Sequence, residues 1–175
     1  VKRFLTLLFL ILANSGFISS CFVRDRCTSY HYVNGFPEDF HEPAEYAAAR
    51  WTRFSGIPVT IENGDPSDLA CGLRLMSKDT SEYVGLKIAM ETDFWGVHRG
   101  DDGSIALVLD SWPPEDQLAR ARSILMHEFF HEFYGEHVPD TSAVMGVPTQ
   151  WEPHVDYNHS DYLECVRVGL QCPLR

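Results

Sequence analysis

Residues 113–137 read PPEDQLARARSILMHEFFHEFYGEH, and how this stretch folds decides how the rest of the chain is read. Pro113 and Pro114 suit the first turn of a helix, where a missing N–H costs nothing. Glu115 and Asp116 complement the dipole there. Leu118, Ala121, Leu125, Phe129 and Phe133 form one apolar stripe, while Ile124, Met126 and Phe130 cover other faces. A helix apolar nearly all round lies inside a domain. Gly135 is a natural stop, so the pattern predicts a buried helix running to Tyr134.

That helix carries chemistry. His127 and His131 stand four apart, so on a helix they share one face and can offer both imidazoles to one ion. Glu128, one step round, can reach a water on that ion without being a ligand. Catalytic zinc takes three protein ligands and keeps a fourth position open. His137, beyond the expected helix stop, supplies a third imidazole if the chain turns back. Asp140 and Glu152 are the other candidates for that place. Burying uncoordinated imidazoles beside a carboxylate is costly, whereas metal ligation accounts for all of them.

Working outward, HEPAEYAAARWTRFSG (41–56) predicts a second helix, with Pro43 in its first turn, Ala44, Ala47, Trp51 and Phe54 on one face, and Gly56 as its stop. Strands are expected at 57–62, 71–76 and 85–91. The last alternates, with Leu86, Ile88 and Met90 on one side and Lys87, Ala89 and Glu91 on the other. IALVLDSW (105–112) reads as a strand buried on both faces. Residues 22–41 are polar and turn-rich with no clear period. The expected architecture is a single α+β domain over residues 42–175, with no internal repeat.

The first residues, VKRFLTLLFLILANSGFISSC, set two basic residues before a short apolar run and then small residues. This is the layout of a secretory signal over residues 1–20, and the run is too short to span a bilayer. Ile18-Ser19-Ser20-Cys21 resembles a lipobox, with Cys21 as the lipidated first mature residue; an ordinary signal cut near Ser20 would leave Cys21 a thiol. Cys27, Cys71, Cys165 and Cys172 then form an even set, consistent with two disulfides in any of three connectivities. Two helical turns would hold Cys165 and Cys172 about 10.5 Å apart, so they can bridge each other only if their helix ends near Gly169. Twenty-five acidic against 14 basic residues give a formal charge of −11, which argues against nucleic acid as a partner.

The spacing His127-Glu128-x-x-His131 with His137, followed eight residues later by Met145 in SAVMG, resembles the metzincin metallopeptidases, and matrixin-like members in particular. Asp140 or Glu152 as third ligand would leave both His137 and Met145 unexplained. The resemblance implies a twisted mixed sheet, an active-site helix, a methionine turn at Met145 and a C-terminal helix. It also implies one catalytic Zn2+ on His127, His131 and His137, and an edge strand for substrate, for which Leu86, Lys87, Ile88, Ala89 and Met90 are the match by order. The family glycine falls on Tyr134, and here Gly135 follows one position later. The activity implied is that of a zinc endopeptidase in which Glu128 acts as base and then acid on a zinc-bound water. Protein or peptide substrates, a monomer, and a bacterial envelope location through a lipid anchor, or secretion, complete the expectation. A non-catalytic zinc-containing binding module is the alternative, and the intact Glu128 speaks against it.

Overall fold

A computed structural model describes residues 26–110, 112–133, 135–146, 154 and 156–172. The expected signal and the lipidation site Cys21 lie outside the described residues. The order of elements is β1 (Ser29–Tyr32), α1 (His41–Ser55), β2 (Thr60–Ile61), β3 (Gly72–Leu75), α2 (Ser81–Met90), β4 (Gly96–His98), β5 (Ile105–Leu107), α3 (Pro114–Glu132) and α4 (His159–Arg167), with one 3-10 turn, Glu38–Phe40, before α1. Among the described residues the fold is α+β, with one five-stranded mixed sheet and four helices.

The sheet runs β2-β1-β3-β5-β4. The first four strands are parallel and β4 is antiparallel to β5, with Val97 opposite Ala106. Strand β5 is buried throughout, as its continuous apolar run predicts. Alternate side chains leave opposite faces of a strand. Ile105 and Leu107 accordingly join the main core with α1 and α3, while Ala106 and Val108 join a smaller cluster with Tyr83 of α2 and Phe94. In the main core Trp51 of α1 stacks on Phe133 (centroids 4.9 Å apart) and meets Phe130 edge-on at 5.3 Å. Such aromatic pairs each contribute about 0.5–1.5 kcal/mol beyond their buried area.

Three expectations need correction. Leu86, Lys87, Ile88, Ala89 and Met90 lie on helix α2, not on a strand. The side chain of Thr80, five residues upstream of the alternating run, accepts the Tyr83 N–H, and Glu82 favours the first turn. Tyr83 and Leu86, three apart, then face the small core, which leaves the two-residue alternation without structural meaning. The polar, turn-rich segment 22–41, in which no strand is expected, also contains β1, which lies between β2 and β3. Tyr30 is wholly buried there beside the buried His31, whose Nε2 lies 3.0 Å from the Asp68 carbonyl oxygen. Finally, α3 ends at Glu132, with Phe133 as its C-cap, rather than at Tyr134.

Two disulfides join Cys27 to Cys71 and Cys165 to Cys172. The second closes because α4 stops at Arg167 and Gly169 adopts φ +80°, which brings the two Cα atoms to 6.2 Å. Disulfides fit an oxidising, extracellular or periplasmic setting. Among the described residues no helix is long and apolar enough to cross a membrane.

Candidate metal centre and cleft

Helix α3 brings His127 and His131 together, and the chain after it returns His137 to the same point. Nε2 of His127 lies 3.0 Å from Nε2 of His131 and 3.0 Å from Nε2 of His137. The opposite ring nitrogens are committed: His127 Nδ1–H donates to the Val144 carbonyl at 2.6 Å, and His131 Nδ1–H to the Gly135 carbonyl at 2.8 Å. A hydrogen bond at one nitrogen sets the tautomer at the other. The Nε2 atoms of His127 and His131 therefore carry bare lone pairs, and with Nε2 of His137 they face a common centre. Such an arrangement is repulsive by itself and is relieved by a cation. Tetrahedral zinc at 2.0–2.1 Å from each nitrogen needs them about 3.3 Å apart, so an opening of a few tenths of an ångström accommodates it. The three residues can thus hold a metal ion.

Electrostatics favour the same use. Burial, then the neighbouring His131, pushes His127 down to about 3; burial takes His131 to about 4 and lowers His137 as well. All three rings are therefore neutral at ordinary pH, the state that binds metal.

Gly135 shapes the return of the chain, though not through a left-handed turn. A Cβ there would lie 2.0 Å from Cδ1 of Phe130, so the backbone must pass directly against that ring. The next residue is fastened by the C-terminal helix: Glu136 N–H donates to the Glu164 carboxylate at 2.5 Å, and Arg167 holds Glu164 through two bonds at 2.6 and 2.7 Å. Val138 N–H then donates to the Met145 carbonyl at 2.9 Å. Tyr134 lies outside the described residues.

Met145 is fully buried in the main core, in a turn whose geometry is fixed by one carboxylate. Asp161 of α4 accepts the N–H of Val144 at 3.0 Å, of Met145 at 2.8 Å and of Asn158 at 2.9 Å. Burial raises its carboxyl, and these three donors act against that rise. The turn in turn presents the Val144 carbonyl to His127. Asp140 does not join the histidines; it bonds Ser142 and Ser160, each at 2.7 Å. Glu152 lies outside the described residues, as does most of the loop after Met145. His159 is exposed on α4 and His154 half-buried; neither belongs to the cluster.

Glu128 is 4 % exposed, and burial pushes its carboxyl up to about 8, against a hydrogen bond from the His98 backbone that favours the charged form. It lines a cleft of about 480 Å³ together with the three histidines, Trp95, Gly96 and His98. Gly96 sits so close that a Cβ on it would lie 2.6 Å from Glu128 Oε1 and 2.3 Å from Ile124 Cγ2. The strand beside the cleft is therefore β4, the sheet edge, and not residues 86–90; of those, Met90 alone reaches the cleft wall.

No family model matches the chain, and no curated protein matches it. Sequence reasoning missed Gly96, His98, Glu132, Asp161 and Glu164. Only Asp161 had a readable signal, since Asn158-x-x-Asp161 is a capping box, and both of its reciprocal bonds are present.

Proposed function

We propose that the chain is a zinc-dependent endopeptidase of the metzincin type. The observation that carries this reading is the convergence of three imidazole Nε2 atoms beside a buried carboxylate, in a cleft bounded by an antiparallel sheet edge. A structural zinc site would fill its fourth position with a protein ligand. His127, His131 and His137 would hold the ion through Nε2. When bound, zinc supplies the Lewis acidity that activates water and polarises a carbonyl.

The chain's own residues do the rest. A neighbouring cation favours the carboxylate form of Glu128 and opposes the effect of burial. Glu128 then accepts the proton of the attacking water and returns it to the leaving amine. The two Nδ1–H bonds keep the rings aimed while the cleft is occupied. Strand β4, paired on one side only among the described residues, offers backbone groups to an extended substrate, which is therefore a protein or peptide. The acidic balance makes nucleic acid a poor partner. The expected location is a bacterial envelope, through the N-terminal signal and Cys21, or the medium outside the cell.

Cleavage of a mixed peptide library by zinc-loaded, oxidised protein tests this, with Glu128→Ala beside it. Cleavage by the parent and none by the variant supports the peptidase. No cleavage by folded protein carrying one zinc per chain sinks it and leaves the binding module.

A further inference from the structure

Beyond the three histidines and Glu128, the cleft holds one more histidine that the chemistry above does not use. His98 ends strand β4 and lines the cleft, yet its side chain is only 11 % exposed. Its Nε2 meets the carboxylate of Glu132, whose side chain is wholly inaccessible. The same carboxylate accepts the Cys27 N–H at 2.5 Å, through Oε1. Glu132 stands one turn beyond Glu128 on α3, so one helix face presents two buried carboxylates to one three-residue strand. The strand answers both: the His98 backbone N–H faces Glu128, and the His98 imidazole takes Glu132. Gly96 completes the fit by letting the backbone lie against Glu128 Oε1.

A sheet edge of three residues has little of its own to hold it, since among the described residues β4 pairs with β5 alone. The Glu132 side chain is wholly buried and also held by the Cys27 N–H, so its place on α3 is fixed, and its bond to the His98 imidazole ties β4 to that place. We infer that His98 is a positioning residue: its bond to Glu132 clamps the edge strand onto α3, and so sets both the place of the Glu128 carboxylate and the register in which a substrate chain lies along β4. His98 itself need touch neither substrate nor metal. The inference rests on the peptidase reading for its effect on rate, but the clamp is a physical property of the fold and is measurable without catalysis.

The test uses the full chain, oxidised and zinc-loaded, as parent, His98→Ala, His98→Gln and Glu132→Gln. Glutamine places an amide N–H near the position of imidazole Nε2, so His98→Gln keeps the bond to Glu132. His98→Ala is expected to lower kcat about 30-fold at unchanged zinc content, because a misplacement near 1 Å can cost on the order of 100-fold. His98→Gln is expected to stay within about 5-fold of the parent. Glu132→Gln, which keeps neutral partners for both His98 and Cys27, is expected to lie between them. If His98→Ala does not fold, His98→Asn, polar but too short to reach, replaces it. Amide exchange at Val97 and His98 is read in parallel, and the clamp predicts acceleration of at least about 10-fold in the loosened variant. A loosened variant with kcat within 3-fold of the parent, or one in which glutamine fails to restore what alanine removes, overturns the inference. If the parent cleaves no peptide, the peptidase reading fails separately. Exchange at β4 then decides the clamp: acceleration supports it, and unchanged protection overturns it.

Discussion

Replacing Glu128 by glutamine should stabilise the metal-free protein while abolishing the proposed peptidase activity. Burial holds this carboxyl up near 8, against 4.5 in the unfolded chain. The sign follows from proton counting. Below pH 4.5 both states are protonated, and the residue does not discriminate between them. Above it the unfolded chain releases the proton and gains from doing so, while the folded state keeps it. The cost to folding grows until the pH passes the folded value and then levels off. At 1.36 kcal/mol per pH unit, the cost at pH 7 is about 3 kcal/mol. Glutamine has nearly the same shape, accepts the His98 N–H and never ionises, so it removes this cost. Chelated parent and Glu128→Gln proteins should be unfolded in urea at pH 4 and pH 7, with zinc-loaded samples beside them. The variant should be more stable by about 3 kcal/mol at pH 7, with m unchanged, and equal to the parent at pH 4. Zinc should shrink the gap, since a cation favours the carboxylate. Equal midpoints at pH 7, or a less stable variant, would refute the argument that Glu128 is buried at a cost.

The remaining expectations concern the parts that hold the site. Gly96→Ala places a methyl carbon 2.6 Å from Glu128 Oε1 and 2.3 Å from Ile124 Cγ2. It should cost about 1–3 kcal/mol by overpacking and lower kcat on the order of 100-fold, read by denaturation and by turnover. Asp161→Ala frees the Val144 and Met145 amides and loosens the carbonyl that orients His127. Zinc affinity, measured by competition with a chelating dye, should fall about 10–100-fold. Of the two disulfides, Cys27–Cys71 closes a loop of sequence separation 44 and Cys165–Cys172 one of 7. Removing each pair as alanines should cost about 4 and about 2.5 kcal/mol respectively, by equilibrium unfolding.

Some of this was legible from the residues, and the pattern of success has physical causes. Helix α1, helix α3 and strand β5 were readable because each buries enough apolar surface to dominate its local pattern. The histidine cluster was readable because i,i+4 spacing on a helix is a strict geometric statement. Strand β1 was not, because Tyr30, His31 and Tyr32 look polar until the Asp68 carbonyl and the sheet satisfy them. Helix α2 was misread for the opposite reason. Its solvent side keeps Val84 and Ile88 exposed, so hydropathy followed a period of two that the packing ignores. The carboxylates that organise the site, Glu132, Asp161 and Glu164, reach distant partners across gaps of 105, 17 and 28 residues; the capping box marks Asp161 on its own helix, but no local pattern reports those distant partners.

Those long gaps have a consequence for the order of assembly. During synthesis, residue 27 emerges long before Glu132, the acceptor that its amide needs. Strand β1 likewise waits for β2 and β3, and the parallel pairs of this sheet are non-local contacts that form slowly. His127 then depends on Val144, and Val144 on Asp161, which is made after all three histidines. A nascent chain that already displays all three histidines still lacks the turn and helix that aim them. The candidate centre is therefore assembled only once α4 has been made, and a chain cut short before α4 carries the three histidines without the parts that aim them.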